Sequence, residues 1–318
     1  MTANEIPYFL LLISLSIMHC HNQKEYLYTK FIVGGQCEIK FYGNDENAAK
    51  KIVSEIDEEL VRIDSLLNRF SDKSLVSELN RKLGVKAPRD IVSLFSLCDS
   101  ISRLTNGLFD ISVAPLVEIW GFYEHEFKNP DSAEIKKIKK SIDYKAIKIA
   151  GDSISIIAGM KIDLGGIAQG FAADRVADIL KQHQIRTALI NIAGEIVAIG
   201  HSSKGRPWRI GIKNPGGEGT IEIVQLEDGF LSTSGNYEKF FMINGKKYPH
   251  IINPQTGFPA LDFVSVTVFA QSASFADAIA TAVAVMGPER GMKFLDSLGI
   301  RGIIYYERDG DLQRIENK

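Results

Sequence analysis

The stretch KIDLGGIAQGFAAD (161–174) connects a strand pattern to a helix pattern through glycines. A strand is expected to end at Asp163, Gly165 and Gly166 to form the turn, and a helix to begin near Ile167. Backbone groups in such a turn can approach a ligand without an intervening Cβ, and the N-terminus of the helix attracts an anion. Close packing explains the turn equally well, so this stretch alone leaves ligand binding and packing open.

Helix and strand patterns are mixed on both sides of this turn, without strict alternation. Apolar residues at helical spacing predict helices over 46–69, 90–105, 167–183, 273–286 and 288–297. Alternating apolar residues predict a strand over 30–42 that is interrupted at Gly34 and Gly35. They also predict strands over 146–162, 187–199, 207–213, 220–226, 238–252, 263–270 and 299–306. The charged stretch 124–144 is predicted to be a solvated loop or a short helix. This order predicts an α+β fold, a single domain of two mixed α/β subdomains.

The composition of the 318 residues is that of a folded globular protein, with 45% hydrophobic residues. The 37 basic and 39 acidic residues leave a net charge of -2, which supplies no overall field for nucleic acid. An anionic ligand must therefore be bound by local geometry. The dinucleotide fingerprint G-x-G-x-x-G and the phosphate loop ending in G-K-[ST] do not occur in the chain, which argues against a nicotinamide oxidoreductase.

The N-terminus carries an apolar run, Pro7 to Met18, followed by His19 and Cys20. This run is too short for a membrane span and has the length of the apolar part of a secretory signal. A cysteine directly after it resembles a bacterial lipoprotein signal, so residues 1–20 are predicted to be a signal and 21–318 the folded domain. A buried N-terminal strand or helix is the alternative. Cys37 and Cys98 are predicted to be small core residues.

Two polar segments between predicted strands gather hydroxyls, amides and turn residues. They are STSGNY (232–237) and HIINPQTGFP (250–259). His250 precedes the second turn, where a reacting group could reach it, and histidine has the intrinsic pKa of a general base. A histidine at the start of a strand is more often structural.

Asp277 and Thr281 lie four residues apart in a predicted helix of small apolar residues, and so share one face. A carboxylate and a hydroxyl on one face can offer hard oxygen ligands to Mg²⁺. The alternative, favoured by this segment alone, is that Asp277 caps a helix or forms an ion pair while Thr281 only packs.

In series, these segments resemble the motifs of the ApbE family, the FAD:protein FMN transferases. The likeness runs in order from about Lys30 to the C-terminus and rests on several motifs. They are LLNRFSDKSLVSELN (66–80), GLFDISVAPLVEIWGF (107–122), DLGGIAQGFAAD (163–174), NIAGEI (191–196), STSGNYEKFF (232–241), HIINPQTGFP (250–259) and SVTVFAQSASFADAIAT (265–281).

This resemblance implies an ApbE-type, T-fold-like domain and a role for each matching residue. The positions matching cofactor contacts are Val33, Phe70, Leu108, Phe109, Asp110, Asp163, Gln169 and Ile252. The implied metal ligands are the Asp277 and Thr281 side chains and main-chain oxygens near Gly166 and Ala280, and His250 is the implied base. Gln169 stands where a charged residue is common, Val33 where Met is usual, and Asn253 where Asp is commoner.

The activity implied by the resemblance is transfer of FMN from FAD to a serine or threonine hydroxyl of a target protein, with Mg²⁺ as cofactor and AMP released. Two alternatives remain: an FAD pyrophosphatase that gives FMN and AMP, and a non-catalytic flavin-binding lipoprotein. The implied partners are FAD, an acceptor subunit of a membrane redox complex, and, if Cys20 is modified, the membrane. The expected location is the periplasmic face of a bacterial inner membrane.

Overall fold

The computed structural model of the protein describes residues 23–124, 126–243 and 245–317. The predicted signal, residues 1–20 with Cys20, lies outside these ranges. The strands are β1 (Lys24–Ile32), β2 (Gly35–Gly43), β3 (Gly84–Lys86), β4 (Lys148–Ala150), β5 (Ser153–Ser155), β6 (Ala188–Ile192), β7 (Glu195–Ile199), β8 (Trp208–Lys213), β9 (Thr220–Leu226), β10 (Gly229–Gly235), β11 (Phe240–Ile243), β12 (Lys246–Pro249), β13 (Ser265–Ala270), β14 (Gly302–Arg308) and β15 (Asp311–Glu316). The helices are α1 (Glu46–Leu67), α2 (Leu75–Lys82), α3 (Arg89–Leu104), α4 (Ala114–Ile119), α5 (Ser132–Ile138), α6 (Ala168–Gln182), α7 (Ala273–Met286) and α8 (Pro288–Leu298).

The largest element is an eight-stranded antiparallel sheet in the order β1-β2-β6-β7-β10-β13-β14-β15. Helices α1, α6 and α7 cover one face, where Ile190, Val197 and Val266 join the main core. The β8–β9 hairpin lies over the other face, where Ile196 and Leu231 pack in a second cluster. Side chains alternate between the two faces along each strand, so neighbouring strand residues enter different cores.

A smaller core surrounds Trp120, whose indole N–H donates to the Gly257 carbonyl over 2.8 Å. It contains α4, α5 and the β11–β12 hairpin, with Phe127 and Tyr248 packed around the indole. A buried indole needs a partner for its polar atom, and the Gly257 carbonyl supplies it. This contact fixes the turn that follows His250 against the segment around 107–124.

The predicted α+β class is confirmed, and five predicted helices lie within two residues of α1, α3, α6, α7 and α8. The interruption predicted in the strand over 30–42 is a two-residue turn at Val33 and Gly34, which divides the segment into the hairpin strands β1 and β2. Both turn residues have positive φ, 53° and 78°, the geometry of a tight hairpin turn. The second glycine of the interruption, Gly35, is the first residue of β2.

The segment 232–237, predicted to be a loop between strands, is largely strand β10, at the centre of the sheet. Its hydroxyl side chains pair across strands rather than facing solvent, as when Thr233 and Thr267 hydrogen-bond over 2.9 Å. Alternation over 146–162 yields only the short β4 and β5.

From residue 23 to residue 317, none of the described helices is long and apolar enough to cross a membrane.

Candidate active site

The glycine-rich turn of 161–174 forms as the sequence predicts, with α6 beginning at Ala168. The Asp163 backbone N–H donates to the Ile111 carbonyl over 2.8 Å, which holds the turn against the 107–113 segment. Within the turn, Oδ1 of Asp163 accepts from the Gly165 N–H over 2.7 Å, and Oδ2 accepts from the Tyr123 hydroxyl. These bonds fix the half-buried Asp163 carboxylate at the mouth of the site.

Gly166 brings the turn against α7. A Cβ built on Gly166 would lie 3.0 Å from Oγ1 of Thr281 and 3.5 Å from the Phe109 ring. The absence of a side chain at this position therefore lets three predicted site residues meet, one from each of three chain segments. The predicted cofactor turn and the predicted metal-binding helix face form one site.

Gly170 makes the same kind of close approach one helical turn later. A Cβ there would lie 2.4 Å from the Ala273 carbonyl oxygen, so α6 and α7 cross in near-contact. The Gly170 N–H donates to Oδ2 of Asp277 over 3.0 Å. Asp174 accepts the Ala273 and Ser274 N–H groups over 2.7 and 2.9 Å, and so caps α7 from the neighbouring helix.

Two carboxylates are buried beneath this crossing. Asp277 is 5% exposed, and burial raises its pKa to about 7. Glu195, at the start of β7, is 3% exposed; burial first, and then the negative charge of Asp277, raise its pKa well above the usual range. Oε1 of Glu195 accepts from the Ser232 hydroxyl over 3.0 Å, whereas its buried Oε2 has no hydrogen-bond partner among the described residues.

His250 is half-buried between β12 and the turn that follows it. Its Nδ1 lies 3.0 Å from the Lys239 carbonyl oxygen. Because a carbonyl only accepts hydrogen bonds, Nδ1 must carry the proton, and the lone pair of the neutral ring is on Nε2. Burial, helped by the Lys239 charge, lowers the pKa of His250 to about 4, although the nearby Asp163 carboxylate opposes the shift. At neutral pH the ring is therefore uncharged and can accept a proton.

Asn253 organises the turn after His250. Its Oδ1 accepts from the Gln255 and Thr256 N–H groups over 2.9 and 3.2 Å. An aspartate oxygen would make the same bonds, so Asn in place of the commoner Asp retains this turn-forming role. The neighbouring Ile252 is buried in the Trp120 core and forms an isolated bridge with Pro259.

Val33 and Gln169 meet at another edge of the site. The Gln169 side-chain N–H donates to the Val33 carbonyl over 3.3 Å. Val33 has φ of 53°, a strained conformation for a β-branched residue, and its side chain is buried. Strain of this kind persists where neighbouring structure enforces it, as it does at this site-facing hairpin.

The predicted segment Leu108, Phe109 and Asp110 is buried. Both Asp110 oxygens accept hydrogen bonds from this protein, Oδ1 from Ser112 and Oδ2 from the Tyr144 N–H over 3.1 Å. Burial raises the pKa of Asp110. Its carboxylate therefore shapes the loop, and a cofactor contact here would come from the backbone or from the Phe109 ring. Phe70 is the opposite case, with its ring 68% exposed.

Sequence reasoning missed three polar side chains of the site: Arg69, Tyr123 and Glu195. Arg69 is between Phe70, Tyr123 and Asp163. Glu195 offered a signal, because it occupies a buried position in an otherwise apolar strand (EIVAI, 195–199). Arg69 and Tyr123 lie in turns without a periodic pattern, so only the fold reveals their contact.

The sequence profile of the ApbE family matches residues 33–304, most of the chain and all of these site residues. This chain belongs to the ApbE family. Relatives of similar length agree: the FAD:protein FMN transferase of Treponema pallidum is 30% identical, with 86% of this chain and 82% of the relative aligned. The enzyme of the same name from Vibrio cholerae is 31% identical, over 82% of this chain and 81% of the relative.

Solved ApbE structures have the same fold. The apo flavinyl transferase ApbE of Pseudomonas stutzeri superposes with a TM-score of 0.85 at 28% identity, covering 93% of this chain and 95% of that one. The ApbE protein of Thermotoga maritima gives 0.84 at 32% identity, covering 92% and 97%. The predicted ApbE membership and ApbE-type fold are confirmed.

A metal centre made of three or more His, Cys, Asp or Glu side chains does not occur in the described ranges. The predicted ApbE metal ligands are of another kind, one carboxylate, one hydroxyl and main-chain oxygens. Their fit to a cation is supported by the buried Asp277 and Glu195 carboxylates, which lie close enough to repel one another. Hard oxygen donors suit Mg²⁺, and a bound cation would offset the repulsion that raises the pKa of Glu195.

Proposed function

We propose that this protein transfers FMN from FAD to a serine or threonine hydroxyl of a target protein and releases AMP. Membership in the ApbE family, whose matched relatives are named FAD:protein FMN transferases, makes the chain an enzyme of the flavin transferase class. The observation that carries the proposal is the approach of Gly166 to Thr281, because it unites the turn for FAD with the residues for a metal.

The reaction is a phosphoryl transfer. The acceptor hydroxyl oxygen forms a bond to the phosphorus of the FMN half of FAD, and the bond between that phosphorus and the bridging oxygen breaks. AMP leaves with the bridging oxygen, and the hydroxyl proton must be removed. Catalysis of this kind depends on positioning and on stabilising negative charge, not on a protein nucleophile.

We assign His250 as the base that removes the proton of the acceptor hydroxyl. Its Nδ1–H is fixed by the Lys239 carbonyl, which leaves the Nε2 lone pair free to accept. The lowered pKa keeps this lone pair available throughout the neutral range. The Asp163 carboxylate is near enough to stabilise the imidazolium as it forms.

Mg²⁺ would be held by the Asp277 and Thr281 side chains and by main-chain oxygens near Gly166 and Ala280. When bound, Mg²⁺ neutralises charge on the pyrophosphate. The chain's own contribution is to orient these oxygens: the Gly170 N–H fixes one Asp277 oxygen, and Gly166 leaves room beside Thr281.

We assign the remaining predicted contacts to FAD binding. The exposed Phe70 ring offers a stacking face. At the start of α6 the Gly165, Ile167 and Ala168 N–H groups donate within the turn, so the Gly166 N–H is the one we assign to a phosphate. The other contacts we assign are Val33, Leu108, Phe109, Asp110, Asp163, Gln169 and Ile252. Gln169 bonds to Val33 through its NH₂ group and keeps its carbonyl oxygen for the ligand.

We further propose that the enzyme is exported and anchored through a lipidated Cys20 on the periplasmic face of a bacterial inner membrane. This location would give access to the acceptor we infer, a subunit of a membrane redox complex. Mass spectrometry of the mature N-terminus from cells expressing the full gene checks the anchor. An unmodified N-terminus at Met1 would exclude it.

The decisive experiment mixes the protein with FAD, Mg²⁺ and an acceptor domain carrying a flavinylation-site threonine. The expected result is a fluorescent acceptor band on a denaturing gel, with one AMP released for each FMN transferred. An acceptor with Thr→Val at that position, and a reaction containing EDTA, serve as controls and should show no label.

Three other outcomes separate the alternatives. AMP release without labelled acceptor would replace the transferase by an FAD pyrophosphatase. Tight FAD retention with neither product would indicate a non-catalytic flavin-binding lipoprotein. Failure to bind FAD would overturn the assignment altogether.

A further inference from the structure

Four charged side chains form a network at the mouth of the site, and of these the family resemblance assigned only Asp163. Nη2 of Arg69 donates to Oε1 of Glu118 over 3.0 Å, and Lys161 donates to the other Glu118 oxygen over 2.8 Å. Nη1 of Arg69 lies 3.7 Å from Oδ2 of Asp163. The network therefore holds two cations and two anions, drawn from the segments around residues 69, 118 and 161–163.

Arg69 also contacts two aromatic rings. The guanidinium carbon lies 3.5 Å from the centre of the Tyr123 ring and 5.8 Å from that of Phe70. The rings themselves meet edge to face at 5.7 Å. Because guanidinium groups stack on aromatic faces, Arg69 connects the exposed Phe70 ring to the rest of the site.

Tyr123 completes the connection. Its hydroxyl donates to Oδ2 of Asp163, the same oxygen that faces Arg69. One carboxylate oxygen is thus held by a stacked pair of side chains, while the other is held by the Gly165 N–H. The Arg69 side chain is 13% exposed, and its Nε and Nη1 have no hydrogen-bond partner among the described residues. An arginine with unused buried donors is held by charge and stacking, not by a full set of hydrogen bonds.

We propose that Arg69 is a positioning residue for the flavin nucleotide, which holds the Asp163 carboxylate and the Phe70 ring in binding geometry through Tyr123. Arg69 does not contact the reacting atoms. The proposal rests on the proposed function for the identity of the ligand, FAD. Loss of the guanidinium would leave Asp163 without its cation and Phe70 with only its edge contact to Tyr123, so FAD binding would weaken before any chemical step.

The test is FAD affinity, measured by quenching of flavin fluorescence in EDTA, for the variants Arg69→Gln, Arg69→Lys and Tyr123→Phe. We expect Arg69→Gln to raise the Kd about tenfold or more, the scale of a lost charged contact. Arg69→Lys restores the charge but not the stacking, and should recover only part of the affinity. Tyr123→Phe keeps the ring and removes one hydrogen bond, so the Kd should rise about threefold to tenfold.

Arg301→Lys is the matched control. Arg301 also stacks on a ring, 4.2 Å from the centre of Phe269, and pairs with Glu316, but it lies at the β13–β15 edge of the sheet. Its variant should bind FAD like the wild type, and thermal unfolding without ligand should show that all four variants are folded.

The kinetics give a second readout. In a transfer assay, the Arg69 variants should raise the KM for FAD while kcat falls much less. Wild-type affinity in Arg69→Gln, or full recovery by Arg69→Lys, would overturn the positioning role. A wild type that binds FAD but transfers nothing would overturn the proposed function and leave this inference standing.

Discussion

The Gly170 backbone N–H donates to Oδ2 of Asp277 over 3.0 Å, at the point where α6 crosses α7. The bond exists only because Gly170 lacks a side chain, since a Cβ would lie 2.4 Å from the Ala273 carbonyl oxygen. One glycine therefore sets both the distance between two helices and the orientation of a buried carboxylate. Close packing and ligand binding were alternative explanations of the glycine-rich turn. Gly170 serves close packing, and the same approach orients a predicted metal ligand, so the two explanations are compatible.

Gly170→Ala tests this dependence. The added methyl group must push α7 away from α6, and overpacking of this kind costs about 1–3 kcal/mol. We expect a lower midpoint in urea unfolding and a loss of Mg²⁺-dependent transfer larger than the loss of stability explains, because Asp277 moves with α7. Gly43→Ala is the control, since its Cβ would meet only the Tyr26 ring at 3.7 Å. Equal behaviour of the two variants would contradict the crossing as the cause.

Asp277→Asn separates charge from shape. The amide oxygen can still accept from Gly170, so the fold should remain while Mg²⁺-dependent turnover is lost. Burial raises the pKa of Asp277 from its ordinary value of 3.8 to about 7. In the metal-free protein, the buried Asp277 charge therefore lowers the free energy of unfolding in full above a pH of about 7, and not at all below 3.8.

The variant should accordingly be more stable than the wild type at a pH of about 8 in EDTA, by on the order of 2 kcal/mol, and equally stable at a pH near 4. Urea unfolding at the two pH values measures the difference. Saturating Mg²⁺ should stabilise the wild type and not the variant. An Asn variant that still responds to Mg²⁺ would show that the cation is held elsewhere.

The motifs of the candidate site are local in the sequence. Asp163, Gly166 and Gly170 occur within one turn and helix, and Asp277 and Thr281 within one helix face. Spacing alone left packing and ligand binding open for both, and their roles came from the family resemblance. The fold supplied what spacing cannot: the contact of Gly166 with Thr281 joins residues over a hundred positions apart. Arg69 and Tyr123 were missed for the same reason, because a stacked pair between two turns has no periodic pattern.

The hydroxyl-rich segment 232–237 shows where composition misleads. Serine, threonine and glycine indicated a loop, yet residues 232–235 belong to strand β10, and the Ser232 hydroxyl donates to the buried Glu195. These residues pair with β13, and this tertiary pairing overrides their local preference. Loop chemistry and buried polar pairing use the same residue types, so composition could not distinguish them.

Asn253 provides a prediction about a departure from the family pattern. Asn253→Asp preserves both hydrogen bonds to the Gln255 and Thr256 N–H groups, so stability and transfer should change little. Asn253→Ala removes them and should destabilise the protein by about 1 kcal/mol. Because the turn holds His250, transfer should slow in the Ala variant as well. Thermal unfolding and the transfer assay give the two values, and a damaging Asp variant would mean that the amide group itself is needed.

His250→Gln tests the base. Removing a general base costs about 100-fold or more in rate, whereas FAD binding in EDTA should stay near the wild-type value because the ring is assigned to the acceptor proton. His201→Gln is the control, since His201 pairs with Glu227 on the exposed β7–β10 side of the molecule. An unchanged transfer rate in His250→Gln would exclude this residue as the base.

The pH profile gives the same residue a second test. Burial lowers the pKa of His250 from its ordinary value of 6.5 to about 4. At saturating Mg²⁺, which would keep Asp277 ionised, the transfer rate should therefore stay level as the pH falls through 6.5 and decline only nearer 4. The unfolded chain takes up a proton at 6.5 and the folded chain does not, so His250 also makes the protein less stable as the pH falls between these two values. His250→Gln should remove this part of the acid sensitivity, measured as the change in Tm between pH values of about 7 and 5. At saturating Mg²⁺, a wild-type rate that halves near 6.5 would mean that the His250 ring is solvated in the folded protein and not buried.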